Sequence, residues 1–278
     1  MLKTRIITAL ILAPIAIGGI FFLPPLGFAL FTGLIIAIGA WEWANMAGLT
    51  SQAARFGYAA VVAAVLYLLY QPLAWVNWVA LVWWGICLLL VRSYPKGTDR
   101  WSPVPVRALM GVLVLVPAWV GLNQLRNGDV EFGRLDNNLL VILYVFCIVW
   151  VADIGAYFAG RAFGKAKLAP RVSPGKSWAG VWGGLAAVAV LATLCSMAVE
   201  ATLVEGSLLV IASLLTGAIS VLGDLLESML KRHRGIKDSS QLLPGHGGIM
   251  DRIDSLTAAI PVFALLVGLL GWLRAGVA

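Results

Sequence analysis

Apolar stretches long enough to cross about 30 Å of hydrocarbon, at 1.5 Å per helical residue, recur along nearly the whole of this chain and confine it to a bilayer. In hydrocarbon each backbone N–H and C=O must be satisfied within the protein, so these stretches have to be helices packed on one another. A mean hydropathy of +0.93 and a charged fraction of 12% lie far outside the composition of soluble globular domains. No polar segment is long enough to form a separate water-soluble unit. The expected fold class is therefore all-α, a polytopic integral membrane protein. About nine spans are expected, at 6–22, 28–46, 58–70, 75–91, 108–122, 139–159, 181–199, 208–226 and 256–273.

Lys3 and Arg5 before the first apolar run raise the question of a cleaved signal peptide. No small-x-small cleavage site follows and Pro24-Pro25 ends the run, so a retained first helix is expected. Positive charge gives an independent test of topology. With the N-terminus in the cytoplasm, all 20 Lys and Arg except Arg126, Arg134 and Arg274 fall on the cytoplasmic side. The net charge of +7 is then a property of one face, suited to anionic headgroups and nucleotides. Nucleic-acid binding is a poor reading, because no basic soluble domain presents such a surface. Trp75, Trp78, Trp101, Trp178 and Trp272 sit near expected span ends, where an amphipathic ring prefers the headgroup level. Cys87, Cys147 and Cys195 fall within apolar spans without paired spacing and read as small buried hydrophobes.

The chain has no repeat or linker and reads as a single transmembrane domain, 1–278. Residues 1–122 have short loops and one ionisable residue inside a span, Glu42, and look like scaffold. Residues 139–273 carry two long polar loops, 161–177 and 231–254, and there the chemistry is expected. Gly180, Gly183 and Gly184, at the start of the seventh span, have the composition of close helix packing.

Asp153 lies near the inner end of the sixth span, and a carboxylate at that depth needs a cation or an arginine such as Arg161 beside it. Asp224 and Glu227 are three apart and share a helix face, as do Asp251 and Asp254 at the start of the last span. Two acids on one face repel unless something positive separates them, and a divalent metal held by Asp224 and Asp251, with Asp254 or Glu227 as further ligands, explains both pairs. The alternative for Asp251 and Asp254 is charge stabilisation of a helix N-terminus. Oxygen ligands favour magnesium or manganese over zinc, and with only His233 and His246 in the chain a His-based zinc site is not expected. His246-Gly247-Gly248 is a turn whose glycines expose backbone donors; beside Lys231, Arg232, Lys237 and Arg252 it reads as a cradle for a triphosphate. Lys165 and Lys167 need do no more than set topology. Ser173, Lys176 and Ser177, just before the seventh span, place hydroxyls and a cation where a helix N-terminus favours phosphate.

The pattern of Ser228, Lys231-Arg232, Lys237-Asp238, Ser240, Pro244, His246-Gly247-Gly248 and Asp251-Arg252-x-Asp254 resembles the signature of the phosphatidate cytidylyltransferase (CDP-diacylglycerol synthase) family. The resemblance extends to 153–176 and to the hydrophobic pattern of the whole chain. Members usually carry Lys-Thr, one residue and Glu-Gly at the second motif, whereas this chain has Lys176-Ser177-Trp178-Ala179-Gly180, with Ala179 in place of the acid. The resemblance implies transfer of the cytidylyl group of CTP to phosphatidic acid, giving CDP-diacylglycerol and pyrophosphate, at the cytoplasmic face of a bacterial inner membrane and in a homodimer. In that role Asp224, Asp251, Asp254 and Asp153 would hold Mg2+ or Mn2+, with room for a second, monovalent cation. Lys231, Arg232, Lys237 and Arg252 would contact phosphates, His246, Gly247 and Gly248 would shape the turn, and Ser173, Lys176 and Ser177 would hold the lipid phosphate or close over CTP. A cavity opening sideways between helices is a further expectation. A CDP-alcohol phosphotransferase is a weaker match, because its motif start is absent and Asp251 and Asp254 have only two residues between them. A transporter of an anionic metabolite, with intramembrane acids as a relay, is disfavoured by the lack of inverted repeats and the gathering of polar groups at one face.

Overall fold

The computed structural model describes residues 10, 14–71 and 73–274. Lys3, Arg5 and the beginning of the expected first span lie outside the described residues, while 14–22 are helical. The eight principal helices are α1 (Pro25–Ala47), α2 (Gln52–Leu68), α3 (Trp75–Ser93), α4 (Val104–Asn127), α5 (Asn138–Phe163), α6 (Trp178–Ala198), α7 (Leu203–Arg234) and α8 (Met250–Leu269). All but α2 are long and apolar enough to cross a membrane, seven in number among the described residues. The chain is an integral membrane protein of the expected all-α class. The 17-residue α2 and the helical residues 14–22 occupy the sites of the third and first expected spans.

The helix ends follow local chemistry. Pro25 opens α1, where a missing N–H costs nothing, and Gly48 closes it at a φ of 100°. Thr202 and Glu205 form a reciprocal capping box at the start of α7, and Gly235 ends that helix at a φ of 76°. Ser177 caps α6 by accepting from Gly180 N–H at 3.2 Å. Pro117 and Pro261 sit inside α4 and α8, where neighbouring helices compensate for the lost hydrogen bond.

α8 is the central helix, with 72% of its most apolar stretch buried, whereas α6 is peripheral, with 22% buried. One apolar core joins α1, α3 and α4 to the lower halves of α7 and α8 through Trp43, Trp84, Met110, Leu226 and Met229. A second joins α5 to α8 through Ile142, Val145, Ile148 and Phe263. Two of the five tryptophans expected at headgroup level are inside the protein: Trp101 is 2% exposed and packs edge-on to His233, and Trp272 is 8% exposed against Phe132. Trp101 packs into the first of these cores and Trp272 into the second, tertiary contacts that hydropathy does not register.

Glycine permits close approach at two helix pairs. On α5 and α6 a Cβ added to Gly155 would lie 2.7 Å from the Gly183 carbonyl, and one on Gly184 would lie 2.6 Å from that of Ala152. The backbones are in direct contact, as the glycine composition led us to expect. Gly155→Val should therefore destabilise the protein by about 1–3 kcal/mol. Gly85→Val, at a position with nothing within 4 Å, should be nearly silent in thermal unfolding of the detergent-solubilised protein. On α7 a Cβ at Gly223 would collide with the Asp254 carbonyl of α8. The bare backbone at Gly223 lets the acidic ends of these two helices meet.

The segment 161–177, expected as a loop, is in part a hairpin: β2 (Lys167–Ala169) pairs antiparallel with β3 (Ser173–Ser177), Lys167 opposite Ser177. Pairing satisfies polar backbone that hydrocarbon cannot, and Val172, 1% exposed, anchors the turn in the core. A second ribbon, β1 (Asp129–Val130) with β4 (Leu273–Arg274), closes the opposite end of the bundle.

Candidate active site

The last turns of α7 place Asp224, Glu227, Ser228 and Lys231 on one face, at i, i+3, i+4 and i+7. That face meets β3 on one side and the start of α8 on the other. From β3, Lys176 Nζ reaches Asp224 Oδ2 at 2.7 Å, and Ser228 Oγ donates to Asp224 Oδ1 at 3.0 Å. From α7 itself, Lys231 Nζ bridges Glu227 Oε2 at 2.7 Å and Asp251 Oδ1 at 2.5 Å. The other oxygen of Asp251 accepts from Gly248 N at 2.7 Å and Ser239 N at 3.0 Å, and the Ser239 hydroxyl, with one proton to give, lies 3.0 Å from it and 3.1 Å from Glu42 Oε2. Asp254 acts electrostatically on Glu227 and on Asp224, and its Oδ1 accepts from Ser255 N at 2.8 Å. The two acidic pairs expected from the sequence thus converge at one end of the bundle.

Beside them, between α5, α6 and α7, lies a cavity of about 400 Å³. Asp153, Tyr157, Arg161, Lys176, Ser177 and Asp224 line its polar end; Val181, Leu185, Gly217 and Val221 line the rest. A space with charge at one end and hydrocarbon at the other suits an amphiphile. Arg161 is not the partner of Asp153: it donates to Tyr157 Oη at 3.3 Å, and the charges acting on Asp153 are Lys176, Asp224 and Arg252. Arg161, about two helical turns on, is drawn to the phenol, and the Asp153 carboxylate lines the cavity.

Several expected phosphate ligands have other work. The charge of Lys231 is taken up by two carboxylates, and its side chain is 12% exposed. The Gly247-Gly248 turn has the positive φ expected of it, 80° at Gly247, but Gly248 N–H is spent on Asp251 rather than left open to a triphosphate. The Ser177 oxygen accepts the α6 cap and keeps its O–H proton to donate toward the cavity. Ser173 lies on β3 opposite Ala169. Arg232, Lys237 and Arg252 are exposed at this end, Arg232 Nε reaching the Val172 carbonyl at 3.4 Å. The His246 backbone closes the turn onto Leu243 O at 2.9 Å, and its Nδ1 is buried without a partner.

The sequence reading missed Glu42 and Ser239. Glu42, taken for scaffold, is fully buried and accepts from Ser239 Oγ, Ser240 Oγ, Ile249 N and Met250 N. The usable signal was present, since an acid inside an apolar span must have donors.

Among the described residues no three His, Cys, Asp or Glu side chains stand ready as a metal cage. The donor set still fits a hard cation. Asp224, Glu227, Asp251 and Asp254 are all carboxylates, and among the described residues only Lys176 and Lys231 form ion pairs with them. Glu227 Oε1 is buried with no donor, beside the Asp254 carboxyl. Two carboxyl groups so placed need a proton or a cation between them.

The family model described as the cytidylyltransferase family matches residues 3–270. The chain is 51% identical over 275 residues to the phosphatidate cytidylyltransferase of Pseudomonas aeruginosa, covering 98% of this chain and 99% of that protein. It is 45% identical over 284 residues to the phosphatidate cytidylyltransferase of Haemophilus influenzae, covering 95% and 98%. With the Bacillus subtilis protein of the same name it shares 38% identity over 165 residues, covering 58% of this chain and 59% of the other.

Proposed function

We propose the reaction of this chain from one premise, that it belongs to the cytidylyltransferase family. It is an enzyme that transfers the cytidylyl group of CTP to phosphatidic acid, giving CDP-diacylglycerol and pyrophosphate. The observation that carries this reading is the cavity beside Asp224, charged where a headgroup phosphate would lie and apolar where a glyceride would lie. Phosphatidate brings its own nucleophile, a phosphate oxygen, so no Ser or Cys need be activated. That oxygen forms a bond to the α-phosphorus of CTP while the bond from the α-phosphorus to the bridging oxygen breaks, and the electron pair leaves with pyrophosphate.

Positioning two polyanions is the main task of the protein. Lys176, Ser177 and Arg161 hold the lipid phosphate at the polar end of the cavity, with the acyl chains along Leu185 and Val221. Arg232, Lys237 and Arg252 meet the nucleotide phosphates arriving from water, Ser173 stands on the same hairpin as Lys176, and His246 shapes the turn. Lys231 keeps Asp251 and Glu227 in place. Asp224, Asp251, Asp254 and Asp153 would hold Mg2+, or Mn2+, which when bound supplies neutralisation of the phosphate charge. The active end faces the cytoplasm of a bacterial inner membrane, where CTP is found, which agrees with the partition of Lys and Arg. A homodimer is proposed on the family resemblance.

Purified protein in mixed micelles should release pyrophosphate only when CTP, phosphatidic acid and a divalent cation are all present. Chelation should stop release and added Mg2+ restore it. Asp224→Asn, which removes the negative charge paired with Lys176, should lower turnover by about 100-fold. Turnover undiminished by both chelation and Asp224→Asn would refute the metal assignment, and absence of CTP-dependent release from the wild-type protein would refute the reaction.

A further inference from the structure

Glu42 belongs to the half of the chain that carries none of the proposed substrate ligands, yet it holds the active end together. The start of α8 has no cap of its own, because Ile249 already has helical angles and offers no side-chain acceptor. Its first N–H groups are instead satisfied from α1: Ile249 N donates to Glu42 Oε1 at 3.0 Å and Met250 N to Glu42 Oε2 at 2.6 Å. A full negative charge at a helix N-terminus, buried and hydrogen-bonded, stabilises that terminus strongly. The same carboxylate accepts from Ser240 Oγ at 2.5 Å and from Ser239 Oγ at 3.1 Å. Ser239 in turn donates its N–H to Asp251. A continuous path of polar contacts runs from Glu42 through Ser239, Asp251 and Lys231 to Glu227.

The carboxylate has little freedom. The Trp43 indole, 1% exposed, donates to the Arg107 carbonyl of α4 at 2.8 Å, which fixes the rotation of α1. Arg107 Nη1 and Arg234 Nε donate to the Met46 and Asn45 carbonyls and hold the end of that helix. On the other side Gly248 has no side chain where a Cβ would strike Glu42. The helix that carries Glu42 is therefore braced from α4 and from the end of α7, and its acid reaches into the loop that carries the motif residues.

We infer that Glu42 is a positioning residue for the reaction proposed above: it caps α8 from another helix and, through Ser239, fixes the carboxylate of Asp251. The inference rests on that reaction. The lipid-side group Lys176, on β3, is not part of this path, so the effect should fall on turnover and not on lipid capture.

The test is steady-state kinetics of the full chain in phosphatidate micelles, below the melting midpoint of each variant. Glu42→Gln puts an amide donor against N–H donors, and kcat should fall by about 30-fold while the KM for phosphatidate stays within about twofold. Glu42→Asp keeps the charge and should recover about fivefold of that loss. Ser239→Ala, a milder change should Glu42→Gln fail to fold, should lower kcat by about fivefold and add nothing in the Glu42→Gln background. If Glu42→Gln or Ser239→Ala melts earlier but turns over like wild type, the contact is merely structural and the inference falls. A wild-type protein that releases no pyrophosphate overturns the reaction itself, and the positioning role with it.

Discussion

Asp251→Asn should reduce CTP-dependent pyrophosphate release by about 1000-fold, the largest loss expected from any single substitution in this protein. Both oxygens of Asp251 are acceptors in use, Oδ1 for Lys231 and Oδ2 for Gly248 N and Ser239 N. An amide has one acceptor oxygen, so its NH2 must face either an ammonium group or a cluster of donors. Either orientation releases the turn 239–248 from α8 or frees Lys231, and it also removes a carboxylate proposed to hold the cation. Pyrophosphate release by the purified variant checks this, with circular dichroism showing that the helices are retained. More than about one-tenth of wild-type turnover in a folded Asp251→Asn protein would remove Asp251 from the centre of the mechanism.

The second large effect is on stability. Lys231 is the only ion-pair partner of Glu227 and of Asp251 among the described residues, and the Glu227 side chain is 1% exposed. Lys231→Met leaves two carboxylates next to each other with no cation, and loss of one partner from a buried pair costs about 3–5 kcal/mol. The unfolding midpoint in detergent should fall accordingly. Glu227→Gln in the same protein should restore about half of the loss, because it removes one of the uncompensated charges. A Lys231→Met protein as stable as wild type would show that this lysine does not neutralise the acids, and that a proton or a cation taken from solution does.

Much of the active end was visible along the chain. Asp224 with Glu227 and Asp251 with Asp254 repeat at helical spacing, and the two pairs do meet, because both belong to helix ends on the same side of the bundle. Closely packed glycines between α5 and α6 were legible for the same reason, that spacing on a helix is a local property. Partner choice was not legible. Lys231 and Gly248 N–H, assigned to phosphates on composition, are occupied by protein carboxylates. Lys176 pairs with Asp224 because a hairpin, not a loop, precedes α6. Glu42 lies 207 residues before Ile249, whose N–H it receives, and nothing at either position names the other.

By itself the sequence determined the solvent, the element type and the inventory of charge. Hydropathy and helical spacing act over a few residues, and a bilayer permits few other solutions for such a chain. The tertiary structure alone decided which acid receives which proton donor. A buried charge demands a partner, but the demand is met by whichever donor the packing brings within about 3 Å. Here that packing depends on the bare backbone at Gly223 and on the setting of α1 by Trp43, contacts made across helices far apart in the chain.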